Sequence, residues 1–314
     1  MRRSIALGAL LVVGGLSMAL AAFQAPPPAG PTPAGLAATK IEKVKENLYI
    51  ITGSAPAPRD AFSGGNTAVF ITDTGVVVVD TKLAGWGQVI LDRIKTVTSK
   101  PVTMILNTHT HGDHTGSNEF FGATVESVVQ ENTKANMAKM DEFKGAKAKF
   151  LPNKTYKDRL TLGSGKDQID LYYFGRAHTN GDTFVVFKAA RTMHVGDVFA
   201  WKALPYIDPD NGGSVVEAPK TMTKVIDTVK DVDTIINGHI PVSTWNDLVT
   251  FRDFNADFVT YAQNAIKAKK SLDQAAKDYT VPAKFTGYKA SENPTFGGAK
   301  PNLEIAYKEL GAAK

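Results

Sequence analysis

His109, His111, Asp113 and His114 place four metal-ligating side chains within six residues of the segment Asn107-Thr108-His109-Thr110-His111-Gly112-Asp113-His114-Thr115-Gly116. Side chains at i and i+2 of an extended segment leave on the same side, so His109 and His111 are expected to aim two imidazoles at one point. Gly112 is expected to permit a tight turn, after which Asp113 and His114 face a neighbouring point. Packing gives no reason for this density. Crowded neutral imidazoles desolvate one another's nitrogens, whereas a zinc-type ion satisfies them and fixes their tautomers. The chain has no cysteine, which leaves nitrogen and oxygen ligation, a donor set that zinc, iron and manganese all accept.

The run His109-x-His111-x-Asp113-His114 resembles the signature of the metallo-β-lactamase superfamily. Three later segments extend the likeness: Gly175-Arg176-Ala177-His178-Thr179-Asn180-Gly181-Asp182, then Val195-Gly196-Asp197, then Gly238-His239. Order and spacing agree over residues 45 to 250. The resemblance implies an α/β fold, a four-layered αββα sandwich with a dinuclear metal site on one edge. It also implies that one ion takes His109, His111 and His178, that a second takes Asp113, His114 and His239, and that Asp197 bridges them. Five of the six histidines fall at these places. The sixth, His194, alternates away from a site that Asp197 faces and is expected to be structural. Asp182 is expected to hold a turn or support a ligand rather than bind metal.

A bridging aspartate is similar to that of the glyoxalase-II-type, lactonase and phosphodiesterase branches. Antibiotic-hydrolysing branches carry cysteine or usually serine there, so the resemblance does not imply β-lactamase activity. It implies a hydrolase with two Zn2+ per chain, iron or manganese being alternatives. A metal-bridging hydroxide would attack a carbonyl ester, thioester, lactone or amide. Asp113, beside the second ion and the nucleophile, is the expected catalytic residue, guiding the hydroxide and carrying a proton toward the leaving group. Two other readings compete: a mononuclear iron enzyme of the persulfide-dioxygenase type, and a non-catalytic metal-binding accessory protein. A full second ligand set argues against the former, and intact ligands with an open water position argue against the latter.

These residues need strands to deliver them. Leu48–Ile51, Thr67–Ile71 and Val76–Asp80 read as strands of a meander, Thr103–Leu106 as the buried strand before the histidine run, and Ile169–Phe174, Thr183–Phe187 and Val232–Ile236 as later core strands. Asp80 follows four valines, a costly place for a carboxylate. It is expected to orient a ligand histidine or the backbone of the His109 loop. Trp86 to Val97, Glu131 to Phe143, Pro219 to Val229 and residues 246 to 270 have helical spacing. The Ser54–Gly65 loop and Phe199–Tyr206, which includes Trp201, are expected to border a pocket for a small-molecule substrate.

Outside the catalytic domain, taken as residues 41–260, the ends read differently. Residues 1–21 carry Arg2, Arg3, an apolar stretch and Ala19-Leu20-Ala21, the pattern of an export signal, which implies a periplasmic or secreted protein without stable membrane contact after cleavage. Residues 22–40 are proline-rich and read as a stiff, solvated linker unable to form helix. Residues 261–314 read as a helical tail packing on the domain. The formal net charge of +5 falls to +3 once Arg2 and Arg3 are removed, and the remaining basic residues are scattered. A nucleic-acid partner is therefore not expected.

Overall fold

The computed structural model describes residues 30–54, 56–292 and 297–311; the expected export signal and the first part of the linker lie outside the described residues. Two sheets face one another. The first holds β1 (Ile41–Lys45), β2 (Leu48–Ile51), β3 (Thr67–Ile71), β4 (Val76–Val79), β5 (Val102–Leu106), β6 (Glu126–Gln130) and β7 (Lys154–Tyr156) in chain order. Pairing is antiparallel from β1 to β4 and parallel from β4 to β7. The second holds β8 (Arg159–Leu162), β9 (Ile169–Tyr172), β10 (Phe184–Phe187), β11 (Thr192–His194), β12 (Thr234–Ile236) and β13 (Ser243–Thr244), with β11 and β12 parallel.

Strand periodicity builds the layers. Ala68 and Phe70 of β3, Val77 and Val79 of β4, and Val185 and Phe187 of β10 fill the core between the sheets. Their neighbours Val69, Val76 and Val78 turn to the outer face of the first sheet, where Ile90 and Ile94 of the helix Gly87–Lys95 cover them. Phe184 and Val186 turn to the outer face of the second sheet, under the helices Ala218–Thr228, Trp245–Lys267 and Ala299–Glu309. The result is the αββα sandwich. Strands covered on both faces read as unbroken apolar runs, which is why Val76–Val79 shows no alternation. Phe70 and Phe187 meet across the sheets with ring centroids 4.9 Å apart, and full burial of each contributes about 1.5–3 kcal/mol.

Three expectations need correction. Residues 33–38 form a helix rather than a spacer: Thr32 Oγ1 accepts from Gly35 N–H at 3.0 Å, and Pro33 occupies the first helical position, where its missing N–H costs nothing. The helix expected over Glu131–Phe143 stops at Met137, and Asp141–Phe143 is a separate single turn. Finally, the continuous helix Trp245–Lys267, opened by a Thr244/Asp247 capping box, runs through the expected limit at residue 260. Ala275, Leu303 and Tyr307 of the C-terminal segment share one apolar cluster with Phe184 and Met193 of the second sheet. Among the described residues no helix is long and apolar enough to cross a membrane.

The topology fixes where function can sit. β4 and β5 in the first sheet, and β11 and β12 in the second, are parallel pairs. The segments that leave their carboxyl ends carry Asp80, the histidine run, Asp197 and His239. In open α/β sheets that is the edge at which ligands bind.

Candidate metal centre

β5 stops at Leu106, so the ligand run is loop rather than strand, and His111 caps the short helix Gly112–Thr115. The loop still converges. His109 and His111 stand edge to face at 4.8 Å, and each stands edge to face with His178 at 4.6 Å. Gly112 opens this helix, and the chain turns there without requiring glycine: an added Cβ would have Met140 Cε, at 4.0 Å, as its near neighbour.

All seven expected ligands come together in three overlapping groups, His109/His111/His178, His109/His114/Asp197 and Asp113/His114/His239, each with its ligand atoms within 4.8 Å of one another. Asp197 stands between the outer two groups. Its Oδ1 lies 3.2 Å from His114 Nε2, and its Oδ2 lies 3.2 Å from His239 Nε2 and 3.9 Å from His178 Nε2. Asp113 Oδ2 lies 3.3 Å from His239 Nε2 and 3.5 Å from His114 Nε2.

Each of the five histidines has one nitrogen tied to an oxygen and the other turned to the cluster. His178 Nδ1–H donates to Tyr206 O at 2.7 Å, and His239 Nδ1–H donates to Ser54 O at 2.8 Å. His111 donates through Nε2 to Asp208 Oδ2 at 2.6 Å, which leaves its Nδ1 facing His178 Nε2 at 2.9 Å. Asp80 governs the remaining two. Its Oδ1 accepts from Thr108 N–H at 2.8 Å, and its Oδ2 accepts from Thr108 Oγ1–H and from His114 Nδ1–H, both at 2.7 Å. Thr108 Oγ1, its proton committed to Asp80, accepts from His109 Nδ1–H at 3.0 Å. One buried carboxylate thus sets a histidine tautomer in two ligand groups, the arrangement that fixes metal-binding imidazoles. Asp80 reaches it from a left-handed backbone, φ 65°, which aspartate tolerates better than most residues.

The donor set fits divalent cations. His109 Nε2 and Asp197 Oδ1 are buried without a hydrogen-bond partner, and each such atom costs about 1–3 kcal/mol unless a cation or donor meets it. Burial lowers the pKa of His109 and of His178, the latter to about 4, and neighbouring imidazoles add to both effects. Burial also opposes protonation of His114 and His239, but the Asp197 and Asp113 carboxylates outweigh it and raise both, His239 to about 9. Asp113 is held down to about 2: burial resists its charge, and His114 and His239 overcome that resistance. Protons therefore occupy the second group in the metal-free protein, and binding of cations there must release them.

His194 stays apart from the cluster. Its Nδ1 accepts from Gly196 N–H at 3.1 Å and its Nε2 faces Asn66 O at 3.2 Å, the pattern of a neutral core histidine. Asp182 accepts from Thr179 N–H and Oγ1–H and so closes the turn behind His178. Of the loop aromatics, Trp201 is buried, its Nε1–H donating to Leu204 O, and its ring lies 5.9 Å from that of His239. Tyr206 is 37% exposed and its ring lies 5.9 Å from both His111 and His178. It borders the first ligand group on the open side.

Sequence reasoning missed Thr108, Asp208, Asn66 and Lys82. Asp208 sits in Asp208-Pro209-Asp210-Asn211, where its Oδ1 accepts from Asp210 N–H and Asn211 N–H; a turn explains it fully, so nothing local points to His111. Asn66 directly follows the Ser54–Gly65 loop. Its Nδ2 donates to Asn237 O and Ile240 O, and its N–H to Gly238 O, tying the His239 loop to the first sheet.

Comparison with known proteins agrees with this geometry. A metallo-β-lactamase type 2 from Elizabethkingia meningoseptica is 31% identical over 162 residues, 49% of this chain and 59% of the relative; the chain thus spans less than two thirds of that relative's length. A metallo-β-lactamase structure from Pontibacter korlensis superposes with a TM-score of 0.60 at 19% identity, over 69% of this chain and 99% of that one. The inverting sec-alkylsulfatase Pisa1 from Pseudomonas sp. superposes with a TM-score of 0.72 at 15% identity, over 88% of this chain and 51% of that one. The family model described as the metallo-beta-lactamase superfamily matches residues 61–240, a span that holds all seven clustered histidines and aspartates, and the chain belongs to that superfamily.

Proposed function

We propose that this protein is an exported hydrolase with two zinc ions, acting on a carbonyl ester, thioester, lactone or amide. The observation that carries the reading is the arrangement of five histidines, each with one nitrogen fixed by an oxygen and the other turned to a shared centre, around the Asp197 carboxylate. His109, His111 and His178 would hold one ion, and Asp113, His114 and His239 the other, with Asp197 between them. When bound, such ions supply an acidified water at neutral pH and polarise the bond under attack.

The chain's own residues do the rest. Asp113 has 19% of its side chain exposed, whereas those of His114 and His239 are closed off, so its carboxylate is the one in the second group that would take a proton from the nucleophile and pass it to the leaving group. Tyr206 offers an apolar ring to the substrate beside the first group. The N-terminal sequence Arg2-Arg3, its apolar stretch and Ala19-Leu20-Ala21 support export to the periplasm or medium.

Elemental analysis of protein purified without added metal, paired with a panel of a small lactone, a thioester and a β-lactam, tests the reading. The sec-alkylsulfatase neighbour adds an alkyl sulfate to the panel. Two zinc ions per chain with turnover of a carbonyl substrate is the expected result. One iron per chain, oxygen uptake on a persulfide and no hydrolysis would overturn it.

A further inference from the structure

Lys82 is the lysine with a fully buried side chain among the described residues. It has two costly features at once. Its backbone is left-handed, φ 60°, a conformation that favours glycine, and burial lowers its pKa to about 7 against the pull of Asp113 and Asp80. A residue held under both penalties needs a compensating role.

Its contacts supply one. Lys82 Nζ donates to Thr52 O at 2.9 Å and to Gly65 O at 2.8 Å, the two ends of the loop that joins β2 to β3. A neutral amine has two N–H donors and a charged one three, so either form can make both bonds. That loop touches the second ligand group at every member. Ser54 O accepts from His239 Nδ1–H, Gly65 N–H donates to Asp113 O at 3.0 Å, and Gly65 lies so close to the His114 ring that a Cβ there would collide with it. Asn66 N–H then binds Gly238 O, next to His239.

We infer that Lys82 is a positioning residue for the second ligand group: by donating to Thr52 O and Gly65 O together, its amine staples both ends of the loop and so fixes Asp113, His114 and His239. The link to a second ion rests on the dinuclear reading above; the staple itself does not.

Two variants test this. Lys82→Met keeps an unbranched side chain, one atom shorter than lysine, without donors. Lys82→Gln keeps a polar end but is one bond, about 1.5 Å, too short for both oxygens, and it guards against failure of the Met variant to fold. The readouts are hydrogen exchange of the peptide covering residues 52–66, in metal-free and zinc-loaded protein, and cobalt(II) titration followed by absorption. Loss of the two bonds is expected to speed exchange of that peptide about tenfold or more. The second cobalt equivalent should bind about tenfold more weakly, with the first unchanged. Wild-type exchange and wild-type second-ion affinity in a folded variant would overturn the inference. If the unaltered protein binds a single ion, the dinuclear reading falls, and the exchange comparison alone decides the role of Lys82.

Discussion

Replacing Asp80 by asparagine is the sharpest test of the hydrogen-bond geometry around the cluster. All three of its partners, Thr108 N–H, Thr108 Oγ1–H and His114 Nδ1–H, are donors at 2.7–2.8 Å. A carboxylate accepts from all of them, whereas an amide must turn its NH2 toward at least one. With the NH2 at the Oδ2 position, it faces His114 Nδ1, and the ring is relieved by moving its proton to Nε2, the atom that faces Asp197 and His239. Thr108 must then accept from the amide and turn its own proton to His109 Nδ1, which shifts the His109 proton to Nε2 as well. With the NH2 at the Oδ1 position, it opposes the Thr108 backbone N–H, whose direction cannot reverse. In the first orientation a proton must leave each of two ligand atoms before a cation can bind.

Loss of such an outer partner typically weakens metal binding 10- to 100-fold, about 1.4–2.7 kcal/mol. The assay is competition between metal-free protein and a chromophoric zinc chelator, with both binding events resolved. Asp80→Asn is expected to weaken both. Thr108→Val removes the acceptor of His109 and one donor to Asp80 but leaves the Asp80–His114 bond in place, and should weaken the ion of the first group more than that of the second. Wild-type affinity for both ions in folded Asp80→Asn, or a Thr108→Val loss confined to the second ion, would refute the tautomer argument.

Asp113→Asn should lower kcat by at least about 100-fold while first-ion affinity, measured in the same competition, stays within about threefold; equal losses would remove its proposed chemical role. Gly65→Ala should abolish tight second-ion binding because the added methyl meets the His114 ring, whereas Gly112→Ala, with room around its Cβ, should retain wild-type metal content and turnover; the reverse order would contradict the placement of both loops. In the metal-free protein burial opposes protonation of His239, but the Asp197 and Asp113 carboxylates raise it to about 9, against the ordinary 6.5 of an imidazole, so its stabilisation is fully present below pH 6.5 and is lost as pH rises through 9. Thermal melts should therefore fall by on the order of 3 kcal/mol of stability over that window without metal, and zinc-loaded protein should lack this loss. Asp208→Asn should weaken first-group binding through His111 alone, read as a lower affinity for the first zinc with the second unaffected.

The clustering of these histidines and aspartates was legible because metal-type residue patterns compress into sequence. Four ligand-type residues in six positions have no packing explanation, and the few remaining histidines of the chain are spent sparingly. The strands were legible for a related reason: a strand covered on both faces must be apolar throughout, and Val76–Val79 announces this without any partner. Asp80 belonged to the same class, since a carboxylate directly after a buried strand is unexplained until something charged or polar lies above it. In each case the residue type conflicts with its local surroundings, and the conflict is visible in the chain itself.

Thr108, Asp208 and Lys82 carry no such conflict. Thr108 is an ordinary polar neighbour, Asp208 satisfies a turn through its own Oδ1, and Lys82 lies in a short stretch, Thr81-Lys82-Leu83, that reads as surface. Their partners lie elsewhere in the chain: His111 is 97 residues before Asp208, and Gly65 is 17 before Lys82. Lys82 meets Gly65 through the pairing of β3 and β4 within the first sheet, whereas Asp208 meets His111 only when the two sheets close on one another. The helix at Pro33–Ala38 shows the converse. Its cap, Thr32 before Pro33, was present in the sequence, but proline counted by abundance signals extension while proline at a helix start signals the opposite. Reading position before composition would have recovered that helix, whereas no local rule would have recovered Asp208. The substitutions that act through residues of the second kind are therefore the ones that test the folded structure rather than the motif.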